Sequence, residues 1–172
     1  MKMIIELLKH LFKEDYSQTS DGLVKKYHKG IIPFLTKKLS SIGYIKKGQM
    51  DGLWTTYYES GGIKKKENFV NGQLNGQWEN YFENGQLSKK GIYQNGEKNG
   101  FEEWFSINGK LLEKFHFKDG KQDGLFEVYR ENGHLYSRGT YKNGNLEGIH
   151  EWYDKEGILE KTTTYKNGET VK

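Results

Sequence analysis

Residues 76–99 read GQWENYFENGQLSKKGIYQNGEKN, and this segment decides the fold because its pattern occurs in five consecutive units without insertion. Counting from the first glycine, an aromatic residue stands five places on, glycine nine, an aliphatic residue eleven, an aromatic residue seventeen and glycine twenty. The units are 52–75, 76–99, 100–123, 124–147 and 148–171. A short fixed period is typical of an array in which each unit packs on its neighbours. We therefore predict an elongated repeat array.

The turn residues predict the secondary structure of each unit. Asn-Gly or a close relative occurs at two places per unit, as in Asn84-Gly85 and Asn95-Gly96. Both central residues of a type I′ hairpin turn need positive φ, which asparagine tolerates and glycine adopts freely. Each unit is therefore predicted to be an antiparallel β-hairpin in an all-β fold with a 24-residue period. A further Asn-Gly, such as Asn75-Gly76, closes several units and favours a wider loop at the second connection.

A two-residue turn at the first Asn-Gly would fix which residues pair across each hairpin. It would place acids opposite bases, namely Glu79 opposite Lys90, Glu103 opposite Lys114, and Glu127 opposite Arg138. Such pairs contribute roughly 0.2–1 kcal/mol each, so they set register more than stability. The same turn would place Trp78 over Gly91 and Phe126 over Gly139. An aromatic ring over a strand glycine shields the backbone.

Strand alternation divides the side chains between two faces. One face is predicted to hold Trp54, Trp78, Phe82, Leu87, Tyr93, Trp104, Leu111, Phe115, Phe117, Phe126, Leu135, Tyr141, Trp152, Leu159 and Tyr165. The other combines the paired charges with Tyr57, Tyr81, Phe105, Tyr129, Tyr153, Phe101 and Leu125. No helical pattern follows Gly52 to cover either face. We expect a twisted, largely single-layered sheet with exposed aromatic surface, and such surfaces often mark interaction sites.

The N-terminal part of the chain has a different pattern. Ile4, Ile5, Leu8 and Leu11 recur at helical spacing, so residues 2–14 are predicted to form a short amphipathic helix. Its expected role is to cap the first strand edge, which would otherwise be open to edge-to-edge association. The sequence therefore divides into an N-terminal helix and cap segment (1–27), a degenerate first repeat (28–51) and the five repeats of 52–172.

Composition and charge exclude several classes of function. The net charge of +4 resides in residues 1–43, and the rest of the chain holds 19 basic and 19 acidic residues. Nucleic-acid binding needs a cationic face, so it is not expected. The absence of cysteine excludes disulfides, and no apolar run is long enough to span a membrane. Because charges interrupt the apolar N-terminus and no small-residue cleavage site follows, we expect a cytoplasmic location.

The sequence shows no catalytic or metal-binding motif. The five histidines have no ligand spacing, and no nucleophile elbow or phosphate-binding loop is present. Glu102 and Glu103 are adjacent, but neighbours on a strand point to opposite faces and cannot act as a paired acid and base. We expect a protein that is not an enzyme and that uses no cofactor or metal.

Together these residues resemble a known family. Units such as 76–87, GQWENYFENGQL, followed by 91–100, GIYQNGEKNG, are similar to the bacterial variant of the MORN repeat. The resemblance covers residues 52–169 closely and 39–51 loosely. Proteins of this kind are similar to the YwqK family of toxin–antitoxin antitoxins. The resemblance implies a β-hairpin array and a binding role, while MORN arrays have also been linked to lipid contact and to dimerisation.

Residues that recur in every unit are interpreted as structural, because a repeat core needs them everywhere whereas a binding site is unique. The predicted structural core is Trp54, Trp78, Tyr81, Leu87, Tyr93, Leu111, Phe117, Tyr129, Leu135, Tyr141 and Tyr165. Departures from the repeat are the better candidates for function. The predicted partner-binding surface is Trp104, Arg130, His150, Trp152 and Asp154, since it mixes aromatics with charge as binding hot spots do.

Two hypotheses of function remain open at this stage. The first is a protein-binding module, most concretely an antitoxin or immunity-like protein that occludes a toxin partner. The second is a membrane-surface or scaffold protein that uses the amphipathic N-terminus with Lys25, Lys26, Lys29, Lys37 and Lys38 near anionic lipid. Self-association into a homodimer is a third alternative, because edge strands and exposed aromatics suit it.

Overall fold

The computed structural model describes residues 21–28 and 38–171, which form one antiparallel sheet of fifteen strands and no helix. Neighbouring strands in sequence are neighbours in the sheet, apart from the two-residue strands β7 and β12, which pair back onto β6 and β11. The predicted helix at 2–14 lies outside the described residues. The strands are β1 (Gly22–Tyr27), β2 (Leu39–Lys46), β3 (Gln49–Tyr57), β4 (Ile63–Val70), β5 (Gln73–Tyr81), β6 (Leu87–Gln94), β7 (Glu97–Lys98), β8 (Gly100–Phe105), β9 (Leu111–Lys118), β10 (Lys121–Tyr129), β11 (Leu135–Lys142), β12 (Asn145–Leu146), β13 (Gly148–Tyr153), β14 (Leu159–Lys166) and β15 (Glu169–Thr170).

The first strand was not expected from the sequence. Residues 22–27 were assigned to the cap segment, yet they form β1 and pair with β2 from Gly22↔Ile45 to Lys26↔Ser41. Val24 lies opposite Gly43 in this pair. The array therefore begins one strand before the degenerate repeat that the sequence indicated.

The tight two-residue turn is at the second connection of each unit, where the sequence analysis placed a wider loop. Asn95 and Gly96 have φ of 52° and 85°, as a type I′ turn requires. Equivalent pairs with positive φ at both positions are Lys47-Gly48, Asn71-Gly72, Asp119-Gly120, Asn143-Gly144 and Asn167-Gly168. That part of the sequence interpretation was wrong, because both Asn-Gly sites carry the same residue signal and it cannot rank them.

The first Asn-Gly instead lies in a three-residue loop. Phe82 N donates to Gln86 O at 2.8 Å and Gly85 N donates to Phe82 O at 2.9 Å, so residues 83–85 form the loop. A β-bulge between Asn80 and Tyr81 then shifts the register by one residue. This shift restores the pairing Glu79↔Lys90 that a two-residue turn would give. The predicted cross-strand pairs are confirmed, although the turn that was expected to produce them is wrong.

The same bulge moves one column of residues to the other face. Leu87 is paired directly with Tyr81, and directly paired residues share a face. The sequence analysis placed Leu87 with Trp78 because it assumed unbroken alternation, and a one-residue slip reverses that assignment. The other pairs of this column are Ile63↔Tyr57, Leu111↔Phe105, Leu135↔Tyr129 and Leu159↔Tyr153.

A second register shift lies between successive hairpins and keeps equivalent residues of neighbouring units at the same level of the sheet. Between β4 and β5 the register shifts by two residues, from Glu67↔Trp78 to Phe69↔Leu74. The side chain of Asn68 lies against Gly76 there, 3.4 Å from where a Cβ would stand. Ile92 covers Gly100 and His116 covers Gly124 in the same way. Glycine is needed at this place because its φ is positive and the neighbouring side chain fills the space of a Cβ.

Little of the described sheet is deeply buried, as expected for a single layer. Trp54 and Phe126 are the buried hydrophobic residues there, each 5% exposed. The Trp54 ring lies over Gly43, the Trp78 ring over Gly91 and the Phe126 ring over Gly139. Each aromatic side chain thus packs on bare backbone of the neighbouring strand, which replaces the missing second layer.

Candidate interaction surfaces

The two faces of the sheet differ in chemistry and are named by their residues. The tryptophan face carries Trp54, Trp78, Trp104 and Trp152. The ladder face carries a row of alternating charges, which we call the charge ladder. It crosses eight neighbouring strands of the sheet, leaving out the two-residue strands β7 and β12. In order from β4 to β13 its residues are Lys66, Glu79, Lys90, Glu103, Lys114, Glu127, Arg138 and Glu151, each paired with the next.

Ion pairs connect several neighbouring members of the charge ladder. Lys90 Nζ lies 2.8 Å from a carboxylate oxygen of Glu103, and Lys114 Nζ lies 3.7 Å from the other. Arg138 also pairs with Glu151 through Nε. Because four acids alternate with four bases, the ladder has no net charge that would attract nucleic acid or anionic lipid.

A column of tyrosines stabilises the acids of the ladder. Tyr129 donates its hydroxyl hydrogen to Glu127 at 3.0 Å, and Tyr153 donates to Glu151 at 3.0 Å. Burial, and then the hydrogen bond to Glu127, raise the pKa of Tyr129 to about 12. Burial and the Glu79 carboxylate likewise raise the pKa of Tyr81 to about 12. Phe105 occupies the same column without a hydroxyl, and its neighbour Glu103 contacts two lysines instead.

An exposed apolar row runs beside the charge ladder on the same face. Its members are 44% to 60% exposed and come from units along the whole sheet: Leu23, Tyr44, Leu53, Ile92, Phe101, Leu125 and Ile149. Polar residues stand between them at the same level, as in the direct pairs Gln77↔Ile92 and Leu125↔Thr140. The sequence analysis assigned Phe101 and Leu125 to this face but did not recognise the row, because the alignment of its members depends on the two-residue shifts between hairpins.

The tryptophan face contains a buried acid, which the sequence analysis considered only as a neighbour of Glu103. Glu102 is 4% exposed and occupies the place of Trp54 and Trp78 in the repeat. Its carboxylate pairs with Lys98 and accepts a hydrogen bond from Trp104 Nε1 at 2.6 Å. The sequence shows that Glu102 replaces a repeated aromatic residue. Its contacts with Lys98 and Trp104, however, depend on the fold.

The predicted partner-binding residues do not form one patch. Trp104 and Trp152 lie in one row of the tryptophan face, separated by Glu113, Val128 and Ser137 on the intervening strands. Four interstrand steps of about 4.8 Å place their backbones roughly 19 Å apart. Lys89 Nζ lies 3.5 Å from the centre of the Trp104 ring. Trp104 is therefore held between a cation and the carboxylate of Glu102.

Three of the five predicted residues are brought together at the C-terminal end. The His150 and Trp152 rings stack with centroids 3.8 Å apart, and Arg130 Nη2 donates to Tyr153 O at 2.8 Å. The Arg130 guanidinium lies 4.5 Å from the centre of the Tyr136 ring. Asp154 has a different place, since its carboxylate accepts hydrogen bonds from the backbone of Glu156 and Ile158 and shapes the following turn.

The sequence analysis missed two members of this C-terminal cluster. Tyr136, Trp152, Glu160 and Lys161 line an open hollow of about 530 Å³. Lys161 Nζ lies 5.2 Å from the centre of the Trp152 ring. We define the C-terminal cluster as Arg130, Tyr136, His150, Trp152 and Lys161. Tyr136 could have been noticed as a departure, because the other units carry Lys64, Ser88, Leu112 and Glu160 at its position.

His150 lies at the centre of this cluster in an apolar environment. The Phe126 ring contacts it edge-on with centroids 5.0 Å apart, and neither of its ring nitrogens has a hydrogen-bond partner among the described residues. Burial lowers the pKa of His150, because the charged form loses hydration. The imidazole therefore acts as a packing group that supports Trp152.

A search of residues 21–28 and 38–171 finds no cluster of three or more His, Asp or Glu side chains placed to hold a metal ion. That part of the chain also contains no helix of the length and hydrophobicity that crossing a membrane requires. The described residues offer the chemistry of surfaces: aromatic rings, paired charges and exposed aliphatic side chains.

Comparison with known families now identifies the repeat. The profile described as MORN repeat variant matches residues 50–71, 74–95, 122–143 and 146–167, together 88 of the 172 residues. The chain belongs to the MORN repeat variant family. MORN repeats are typically protein- or membrane-interaction modules, and the family is generally non-enzymatic. The unmatched unit of this MORN protein contains Glu102 and Phe105, where the repeat elsewhere has other residues.

Two further comparisons add little. A search of curated proteins finds no match. Among solved structures, the crystal structure of TarM is matched with 11% sequence identity over 83% of this chain and 24% of that one, at a TM-score of 0.30. The chain thus spans about a quarter of that protein's length, and a TM-score this low does not define a shared fold.

Proposed function

We propose that this MORN protein is a non-enzymatic protein-binding module and that the C-terminal cluster is its binding surface. The observation that carries the proposal is the open hollow beside Trp152 and Tyr136, with Lys161 at its wall and Arg130 behind Tyr136. Aromatic residues and arginine dominate binding hot spots because they supply large contact areas together with directed polar groups. The cluster departs from the repeat, so it provides a unique place on an otherwise periodic array.

Contacts within the chain already hold the side chains of the cluster in place. Trp152 stacks on His150, and the Arg130 guanidinium is fixed by the carbonyl of Tyr153. Side chains that are already ordered lose little entropy on binding, which favours affinity. Trp104 extends the same row of the tryptophan face, so a partner that covers both tryptophans would contact a span of roughly 19 Å.

The most concrete role for such a module is that of an antitoxin or immunity-like protein in the cytoplasm, which occludes a toxin. Its resemblance to the YwqK family supports this finer proposal, together with an extended sheet face that offers a surface for another protein. The neutral charge ladder argues against a partner chosen mainly by charge.

A second candidate function is attachment to a membrane surface. Lys25 and Lys26 are exposed on β1, next to the N-terminal segment whose sequence is amphipathic. Flotation with anionic liposomes, using the full chain and a form that lacks residues 1–20, tests this alternative. Lipid binding that is lost on truncation would favour it over the protein-binding role.

The protein-binding role is tested by affinity capture from the native cell lysate followed by mass spectrometry. The tagged chain is compared with Trp152→Ala and Tyr136→Ala, and with Ile107→Ala as a control for loss of an exposed apolar side chain elsewhere. We expect one stoichiometric protein that the wild type and the control retain and the two cluster variants lose. Capture that is equal for all four proteins would contradict the proposal.

A further inference from the structure

We propose that the ladder face is the contact surface between two copies of this chain, packed face to face and related by a two-fold axis parallel to the strands. This inference concerns the face opposite the C-terminal cluster, so it is independent of the proposed partner-binding role. Two observations carry it: the exposed apolar row and the order of signs in the charge ladder.

The charge ladder is complementary to its own reversed copy. Its eight charges alternate from Lys66 on β4 to Glu151 on β13. A two-fold axis parallel to the strands reverses the order of strands in the second copy, and an alternating row with an even number of members then meets opposite charge at every place. The four kinds of contact are Lys66 with Glu151, Glu79 with Arg138, Lys90 with Glu127, and Glu103 with Lys114. The unreversed orientation would place like charges together, which is destabilising.

The spacing of charges in the ladder also indicates that the partner on this face is a second β-sheet. Adjacent charges lie one interstrand step apart, about 4.8 Å. Side chains on one face of an extended strand repeat every ~6.7 Å, and the turns of a helix repeat every ~5.4 Å. The side chains of a strand or helix laid along the ladder would therefore lose their alignment with its charges after a few positions. A second copy of the same sheet stays in step across all eight.

The same rotation brings the central part of the exposed apolar row against its copy. It places β6 over β10 of the other copy, so Ile92 would meet Leu125, and it places β8 over β9, so Phe101 would meet His116. These contacts would cover apolar side chains that are now 44% exposed. Burial of exposed aliphatic groups supplies the favourable free energy, while the charges determine the orientation.

The available area is sufficient for a stable dimer. The apolar row, the charge ladder and the tyrosine column extend over ten strands, from β3 to β14. Nine interstrand steps and three rows of side chains cover about 43 Å by about 20 Å. That is on the order of 800 Å² per partner, the size of a standard specific interface.

A charge-rescue experiment tests the pairing of Ile92 with Leu125. In sedimentation equilibrium of the full chain, we expect the wild type to be dimeric and both I92K and L125E to be monomeric. An equimolar mixture of the two variants should recover a dimer, because the introduced ammonium then faces the introduced carboxylate. The control I107K, in a loop away from the interface, should remain dimeric. Circular dichroism confirms that each variant keeps its sheet.

A cross-linking experiment tests the orientation. The chain contains no cysteine, and the rotation brings Gln77 on β5 over Thr140 on β11 of the other copy. Within one chain these residues are five strands apart, roughly 24 Å, which is beyond the reach of a short bis-maleimide cross-linker. Facing sheets lie ~10 Å apart, which is too far for a direct disulfide but within the reach of that cross-linker. Q77C/T140C treated with the cross-linker should form a covalent dimer, and neither single variant should do so.

Three results would overturn the inference. They are a wild type that is monomeric at all concentrations, a dimer that persists in I92K and L125E, and a dimer that Q77C/T140C does not cross-link. If the wild type is monomeric and I92K loses the protein captured from lysate, the ladder face binds a foreign protein instead. Loss of capture only in Trp152→Ala, with the dimer intact, would leave both proposals standing.

Discussion

The indole ring of Trp78 lies over the backbone of Gly91, so that a Cβ added to Gly91 would stand 2.7 Å from Trp78 Nε1. The two residues are directly paired on β5 and β6. In a sheet with one layer, this contact replaces the packing that a second layer would provide.

We predict that Gly91→Ala destabilises the protein by about 1–3 kcal/mol, because the ring must leave its place or the strands must separate. Chemical denaturation measures the change. Gly62→Ala is the matched control, since its φ is not positive and a Cβ there would have its nearest neighbour at 3.8 Å. The account of the core would be contradicted if the two substitutions cost the same.

Loss of one tyrosine hydroxyl should weaken the fold in a measurable, pH-dependent way. Tyr129→Phe removes the hydrogen bond to Glu127 and should cost about 0.5–1.5 kcal/mol near neutral pH. Phe105 stands naturally in the same column, so the substitution is sterically tolerated. The measurement is urea denaturation of both proteins at matched pH.

The raised pKa of Tyr129 also predicts how this difference varies with pH. The folded-state pKa is about 12 against an ordinary value of 10.0. Between these values the unfolded chain releases the phenolic proton while the folded chain keeps it, so stability falls as pH rises. The advantage of wild type over Tyr129→Phe should be complete below pH 10 and decline above it. A difference that is constant up to pH 12 would contradict the raised pKa.

Reversal of one charge in the ladder should destabilise the sheet through its neighbours. Glu103→Lys places three ammonium groups on adjacent strands, and we expect a loss of about 1–2 kcal/mol. Added salt should reduce this loss, because it screens like charges. The comparison is made in the Ile92→Lys background, which removes any contribution from self-association. Glu156→Lys, in an exposed turn, should change stability little, and an equal loss there would count against the ladder.

Acidification should weaken the C-terminal end through His150. Its folded-state pKa is lowered from 6.5, so below pH 6.5 the unfolded chain takes up a proton that the folded chain does not. Stability contributed by the neutral imidazole is therefore present above that pH and is lost as pH falls. His150→Phe should remove this component of the pH dependence, as measured by thermal unfolding between pH 7 and 5. Identical pH profiles would contradict the burial of His150.

The sequence predicted the repeat, the all-β fold and the cross-strand pairs because these depend on residue types at a fixed period. It could not place the tight turn, since Asn84-Gly85 and Asn95-Gly96 present the same dipeptide. The face of Leu87 was wrong for the same reason, because a bulge of one residue leaves no sequence signal of its own. The pairing of residues across the strands was needed to correct both the position of the turn and the face of Leu87.

The candidate site could be predicted only in part. Trp152, His150 and Arg130 were found as departures from the repeat, and the structure brings them together. Tyr136 and Lys161 come from other strands and join them through the sheet pairing. Trp104 was grouped with them by residue type, but the strand order places it four strands away. Composition indicates which residues are suited to binding, whereas register determines which of them meet.

The most direct test of the proposed binding role is calorimetric titration of the protein captured from lysate, once purified, against this MORN protein. We predict that Trp152→Ala weakens the affinity at least tenfold, equivalent to about 1.4 kcal/mol, while Ile107→Ala leaves it unchanged. Trp104→Ala in the same experiment shows whether the partner covers the whole row. Unchanged affinity for Trp152→Ala would contradict the account, because it would place the binding surface away from the C-terminal cluster.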